Sequence, residues 1–206
     1  MSSGTADLAS FAASRVMAEQ MAAMGHRPAV LLHNAGVFMT TRERSVDGFE
    51  MTLAVNHLAP FLSTHLVLAG PVGERLRRIV NVSSVAHSRG HLDLEDVQSL
   101  RVPFSGHGVY ATSKLANVLF TVELARRLAG REITVNALHP GVTATKLLTE
   151  GFEMQGSDSL ADSAATSVKL ALDPAPTRAR CASPAPTRPR RARASTARSR
   201  CDRARW

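Results

Sequence analysis

The sequence predicts an α/β fold: a doubly wound parallel sheet with helices on both faces. Three observations predict it. Short apolar runs of strand length, AVLL at 29–32, RRIVNVSS at 77–84 and EITVNAL at 132–138, alternate with longer stretches of helical periodicity. Strands joined through helices make a parallel sheet, because a parallel pair needs a long crossover. Each strand run also stops at a polar or glycine-rich turn, at Asn34–Gly36, Asn81–Ser84 and His139–Gly141. Sheets of this kind hold ligands just beyond the carboxyl ends of their strands.

Taken in order, residues 7–24 set Leu8, Phe11, Ala12, Val16, Met17 and Met21 at helical spacing, and Gly25 stops them. Pro28 opens the first strand run, which is too short for a buried helix. A second helix fits 55–69. Residues 51–73 carry no charged side chain and are long enough to cross a bilayer. Asn56, His57, Pro60, Ser63, Thr64 and His65 make that stretch too polar to face lipid, so it reads as a buried globular helix. A loop rich in Gly, His, Ser and Pro follows from 86 to 108. A third helix fits 109–129, ending at Gly130, and short helices are expected at 144–150 and 159–172.

Residues 174–206 differ in kind. They hold ten Arg and one Asp, repeat PAPTR at 174–178 and 184–188, and contain no Leu, Ile, Val or Phe. Such a segment cannot bury a core and is expected to be disordered. Its arginine-only basicity resembles GC-rich DNA read in a shifted frame. The formal charge of +8 sits in this tail, and residues 1–173 sum to −1. The tail would attract phosphate without specificity, but no nucleic-acid motif or aromatic platform accompanies it. Both cysteines, Cys181 and Cys201, lie there too, so neither a disulfide framework nor a metal site is suggested. The start, MSSGTADLAS, lacks a basic and apolar leader. A cytoplasmic protein without a membrane span is the expectation.

YATSK at 110–114 concentrates the chemistry. Tyr110 is the only tyrosine, and Lys114 is one of three lysines. Four residues apart on a helix, they share a face. A phenol titrates near ~10 and is a poor base at neutral pH, and a nearby ammonium favours the phenolate. An ammonium so placed can lower the Tyr110 pKa, and such a phenol could exchange a proton with an alcohol or carbonyl. Ser83 or Ser84 would hold the same oxygen. Asn56 has a second explanation as a helix N-cap, as Asp7 and Thr145 do, and His33 reads as packing.

On these motifs the chain resembles the short-chain dehydrogenase/reductase family, most of all its retinol-dehydrogenase-like branch. DL at 7–8, HNAG at 33–36, VNHLAPF at 55–61, RIVNVSSVAH at 78–87, YATSK and HPGVTAT at 139–145 fall in the family's order. The resemblance implies a partial Rossmann-like domain over 1–173, holding the family's strands four to six. It also implies an NAD(P)-dependent oxidoreductase acting on an alcohol or carbonyl, with NADP slightly favoured over NAD, and pairing of two copies through the helices at 55–69 and 109–129. It assigns catalysis to Asn56, Ser84, Tyr110 and Lys114, the last as the group that lowers the phenol's pKa. Cofactor contacts fall to Asp7, Leu8, Asn34, Ala35, Gly36, Tyr110, Lys114, Pro140, Gly141 and Thr145. No metal is implied. The family's Thr-Gly-x-x-x-Gly-x-Gly phosphate loop does not occur in the 206 residues. GHGVYA at 106–111 fits a dinucleotide pattern on paper but follows a loop rather than a strand. The expectation is a chain truncated at its N-terminus and altered at its C-terminus, with an inactive remnant as the alternative to the enzyme.

Overall fold

In the computed structural model, residues 4–23, 28–143, 145–173 and 181–182 are described. The first helix, α1 (Phe11–Ala23), leads to strand β1 (Val30–His33). A short α2 (Met51–Leu53), a π-helical turn (Ala54–Leu58) and α3 (Ala59–Ala69) then run on as one rod. Strand β2 (Arg78–Val82) precedes a 3-10 turn at Val85–Arg89. The long helix α4 (Gly106–Arg127) leads to β3 (Thr134–Leu138), and α5 (Leu160–Leu172) to β4 (Cys181–Ala182). The sheet is parallel throughout, in the order β1-β2-β3-β4.

Period-two alternation divides the strands between two cores. Ile79 and Val135 pack with Val67 of α3, Phe120 and Leu124 of α4, and Leu76 just before β2. Val80, Val82 and Leu138 point the other way, against Leu170 of α5. The helices thus cover both faces, as side-chain alternation requires of a sheet buried on both sides. Cover is thinner over β1, where Leu32 is 41% exposed. Met51–Ala69 is long and apolar enough to cross a membrane, yet Leu53, Ala54, Asn56, Ala59, Thr64 and Val67 are buried within this fold.

Several elements differ from the sequence reading. The rod starts at Met51 rather than 55 because Glu50, which is buried, caps it. Its two carboxylate oxygens accept from the backbone N–H groups of Thr52 and Leu53 at 3.0 and 2.7 Å. Helix α4 starts at Gly106 rather than 109 because Ser105 Oγ accepts from the N–H of Gly108. GHG is thus a first helical turn. A Cβ on Gly106 would lie 2.3 Å from the Met39 carbonyl, so its glycine serves packing. The short helix expected at 144–150 is a π-helical turn at Leu147–Gly151. Cys181 and Ala182 pair with Ala137 and Leu138, a fourth strand where the sequence suggests disorder. The remainder of 174–206 lies outside the described residues.

Candidate active site at the carboxyl edge of the sheet

Parallel pairing in register brings the ends of β1, β2 and β3 to one edge, with His33 beside Asn81 and Val82 beside Leu138. Helix α4 crosses behind this edge and presents Tyr110 and Lys114 to it. Tyr110 is 7% exposed and Lys114 3%. Lys114 Nζ lies 5.5 Å from the centre of the Tyr110 ring and donates to the Val82 carbonyl at 3.0 Å. No carboxylate pairs with it among the described residues. Two of its three N–H donors therefore remain for other acceptors. Burial without an acidic partner pushes its ammonium down to about 8.

The two adjacent serines separate cleanly. Ser83 is buried, and its hydroxyl donates to the Lys114 carbonyl at 2.8 Å, tying β2 to α4. Ser84 turns to the other side, half-buried, as the N-cap of the 3-10 turn. Its Oγ accepts from Ala86 N–H at 3.2 Å, which leaves the hydroxyl proton for the Tyr110 phenol. His87 Nδ1 donates to the Ser84 carbonyl at 2.5 Å and holds this turn in place. The expected low phenol pKa is not found. Burial pushes Tyr110 above its usual value, and the Ser84 hydrogen bond opposes that only in part. Enclosure by Phe38 and Phe152, with ring centres 5.9 and 5.0 Å away, excludes the water that would solvate a phenolate.

Asn56 is 1% exposed and sits inside the π-helical turn, so it is not an N-cap. Its side-chain oxygen accepts from Val37 N–H at 2.7 Å. Its amide nitrogen donates to the Val37 carbonyl at 3.0 Å and to Ser113 Oγ at 3.1 Å. It thereby fixes the turn Asn34–Gly36 against α4. A Cβ on Gly36 would come within 3.2 Å of Asn56 Oδ1 and 3.3 Å of Lys114 Nζ, so glycine is what lets this turn close over the ammonium. Gly141 adopts a φ of 100°, which bends the chain after β3 in a conformation side chains resist. The turn beyond it is tied down by Asp158, which accepts from Val142 N–H at 2.6 Å.

Asn56, Ser84, Tyr110, Lys114 and Gly36 are thus brought together. Asn34 and Ala35 are exposed on the same turn, and Pro140 and Gly141 stand at the end of the neighbouring strand. Thr145 is exposed, and its carbonyl accepts from Leu148 and Thr149, so it caps the next turn through its backbone. Asp7 and Leu8 stand at the head of α1. Asp7 Oδ1 accepts from Ala9 N–H at 2.9 Å, and no described contact joins it to the tyrosine cluster. His33 bonds Thr64 Oγ1 at 2.8 Å and packs, as its sequence reading has it. Residues the sequence did not single out complete the site. Phe38, His107 and Phe152 form an aromatic wall with Tyr110. Asn117 and Ser113 bond to Asn56 from α4. The last two had a signal, since they lie three and seven residues beyond Tyr110. Phe152 had none.

The model of the short chain dehydrogenase family matches residues 3–156. The chain is 45% identical over 141 residues to retinol dehydrogenase 13 of Homo sapiens, covering 68% of this chain and 43% of that protein. It is 43% identical over 146 residues to retinol dehydrogenase 12 of Bos taurus, covering 71% and 46%. The chain therefore spans less than half the length of the curated relatives it matches. Among solved structures, a short chain dehydrogenase from Burkholderia cenocepacia in complex with NADP is 26% identical with a TM-score of 0.62, covering 86% of this chain and 73% of that one.

Proposed function

The chain belongs to the short-chain dehydrogenase family, on its retinol-dehydrogenase-like branch, and from that premise we propose that it carries the proton-transfer machinery of a nicotinamide-dependent alcohol or carbonyl oxidoreductase. One observation carries the reading: Ser84, Tyr110 and the buried Lys114 converge on one point at the carboxyl edge of the sheet. The Ser84 hydroxyl donates to a substrate oxygen, and the Tyr110 phenol gives that oxygen a proton or takes one from it. With its pKa raised, the phenol is protonated at neutral pH. The site therefore stands ready for carbonyl reduction, and alcohol oxidation gains as the pH rises.

A nicotinamide cofactor, when bound, supplies or accepts the hydride. The residues present suit its nicotinamide–ribose end. The unused donors of Lys114 would bind ribose hydroxyls beside the close Gly36 turn, and Pro140, Gly141 and Thr145 would hold the nicotinamide end. Asp7 and Leu8 are assigned to the adenine end. The aromatic wall of Phe38 and Phe152, with Leu147, suits an apolar substrate, and the relatives are named for retinol. Pairing of two copies through α3 and α4, whose Phe61 and Val122 are 44% and 48% exposed, belongs to the same reading, as does a cytoplasmic location.

The test is oxidation of NADPH, then NADH, with retinal and smaller aldehydes. Tyr110→Phe is expected to lower turnover by roughly 10²- to 10⁴-fold with the fold intact. Equal turnover by the variant would sink the proposal.

A further inference from the structure

We infer that Asn117 is a positioning residue for Tyr110 and Lys114, acting through the backbone carbonyl of Asn56, which Pro60 deprives of its helical donor. The catalytic meaning of this inference rests on the proposed function; its geometry does not.

In an α-helix the carbonyl of residue 56 accepts from the N–H of residue 60. Residue 60 is proline and has none, and its ring would press on that same carbonyl. The rod widens here into the π-helical turn Ala54–Leu58, in which Ala59 N–H bonds Ala54 five residues back. The Asn56 carbonyl is met instead from across the interface, where Asn117 Nδ2 donates to it at 2.8 Å. Asn117 is 3% exposed, so leaving this bond unmade would cost its full desolvation.

Asn117 is held on its far side as well. With its nitrogen committed to Asn56, its Oδ1 faces His57 Nδ1 at 3.0 Å and accepts, so that ring nitrogen carries the proton. Its backbone carbonyl accepts from Thr121 Oγ1, which in turn accepts from Asn81 Nδ2 of β2. On the near side, Asn56 donates to Ser113 Oγ, and Ser113 donates to the Tyr110 carbonyl at 2.8 Å. A continuous buried chain of hydrogen bonds thus runs from β2 through Asn117 and Asn56 to the backbone of Tyr110. Asn117 lies seven residues beyond Tyr110 and three beyond Lys114, so it shares their helix face. Its removal frees α4 to shift against β2 and the turn Asn34–Gly36, and with it the seating of the phenol against Ser84 and of the ammonium against the Val82 carbonyl.

Tyr110 is the sole tyrosine, so tyrosinate absorbance reports this site alone. The groups around the phenol are Lys114 and Ser84, behind the rings of Phe38 and Phe152, with His107 against those rings. The experiment titrates the wild type, Asn117→Ala, Pro60→Ala and the double variant, with thermal melts as a fold control. Asn117→Ala is expected to move the tyrosinate midpoint by about half a pH unit or more. It should lower kcat with NADPH and an aldehyde about tenfold, leaving KM within about twofold. Pro60→Ala restores an N–H for the Asn56 carbonyl, so the double variant should return toward wild type in both readouts. An unmoved midpoint in Asn117→Ala overturns the inference, as does a double variant no closer to wild type than the single one. Should Asn117→Ala fail to fold, recovery of a folded protein with a wild-type midpoint in the double variant supports it, and continued unfolding overturns it. Absence of turnover in every protein, wild type included, counts against the proposed function, while the midpoints still decide the role of Asn117.

Discussion

Ser83 and Ser84 show how far two identical neighbours diverge once a strand ends between them. The hydroxyl of Ser83 is spent on the Lys114 carbonyl inside the core, and that of Ser84 faces the phenol. Ser83→Ala is expected to cost about 0.5–1.5 kcal/mol in denaturant unfolding, the net worth of one buried hydrogen bond between β2 and α4, and to leave the Tyr110 titration near its wild-type midpoint. Ser84→Ala should cost only what the loss of its cap on the 3-10 turn removes, about 0.5–2 kcal/mol, but raise that midpoint and abolish turnover. The opposite pattern would reverse the two assignments. Lys114 makes a second case. Its ammonium, depressed from 10.5 to about 8, costs the folded state stability at neutral pH. The unfolded chain binds the extra proton between about 8 and 10.5, so the cost is full below that window and fades as the pH rises through it. Lys114→Met should therefore melt at a higher temperature than wild type at pH 7, with a desolvation gain on the order of 3 kcal/mol, less the lost bond to Val82. The advantage should shrink toward pH 10.5, while turnover is lost throughout. A lower melting temperature at pH 7 would show that the Val82 bond outweighs burial.

At the level of elements, α4 carries most of the architecture. It packs on β2, β3 and the π-helical turn, and its first turn fits under the loop at 38–39 only because residue 106 has no side chain. A methyl at Gly106 would meet the Met39 carbonyl at 2.3 Å, and backbone cannot step aside as a flexible side chain can. Gly106→Ala is expected to destabilise by about 1–3 kcal/mol, read from chemical denaturation, and to disturb Tyr110 one turn later. Stability equal to wild type would mean that the loop yields freely. The same helix shows where periodicity stops informing. Both its sides are buried, so no polar face marks its start, and the sequence reading begins it three residues late. The capping signal of Ser105 was present but stood inside a loop of many small polar residues. Glu50 is a rarer cap, a long carboxylate folded back on its own N–H groups, and nothing local distinguishes it from a surface glutamate.

For the molecule as a whole, the described residues gather Asn56, Ser84, Tyr110 and Lys114, the proposed proton-transfer group, at one edge of a four-stranded sheet. Among the described residues β1 pairs on one side only, with Leu32 exposed on the face that α5 leaves open. The 206 residues hold the groups proposed for the nicotinamide–ribose end of a cofactor and no glycine-rich phosphate loop of the kind that supplies N–H donors to an anion. Fluorescence titration of this chain with NADPH and NADH is therefore expected to give binding weaker than micromolar, and micromolar affinity would refute that. Much of the fold was legible because strand and helix periods are local properties: β1, β2, β3 and the helices between them follow from runs such as AVLL and EITVNAL. The identity of Tyr110, Lys114, Ser84 and Asn56 as candidates was legible too, since spacing on a helix and position at a strand end are written in the chain. Tertiary structure alone decided the rest. It placed Asn117 on the carbonyl that Pro60 leaves open, brought Phe152 across to Tyr110, and paired Cys181 and Ala182 with β3. It also reversed the direction of the Tyr110 shift, because desolvation depends on every atom that surrounds the phenol, and a sequence states only which residues are its neighbours along the chain.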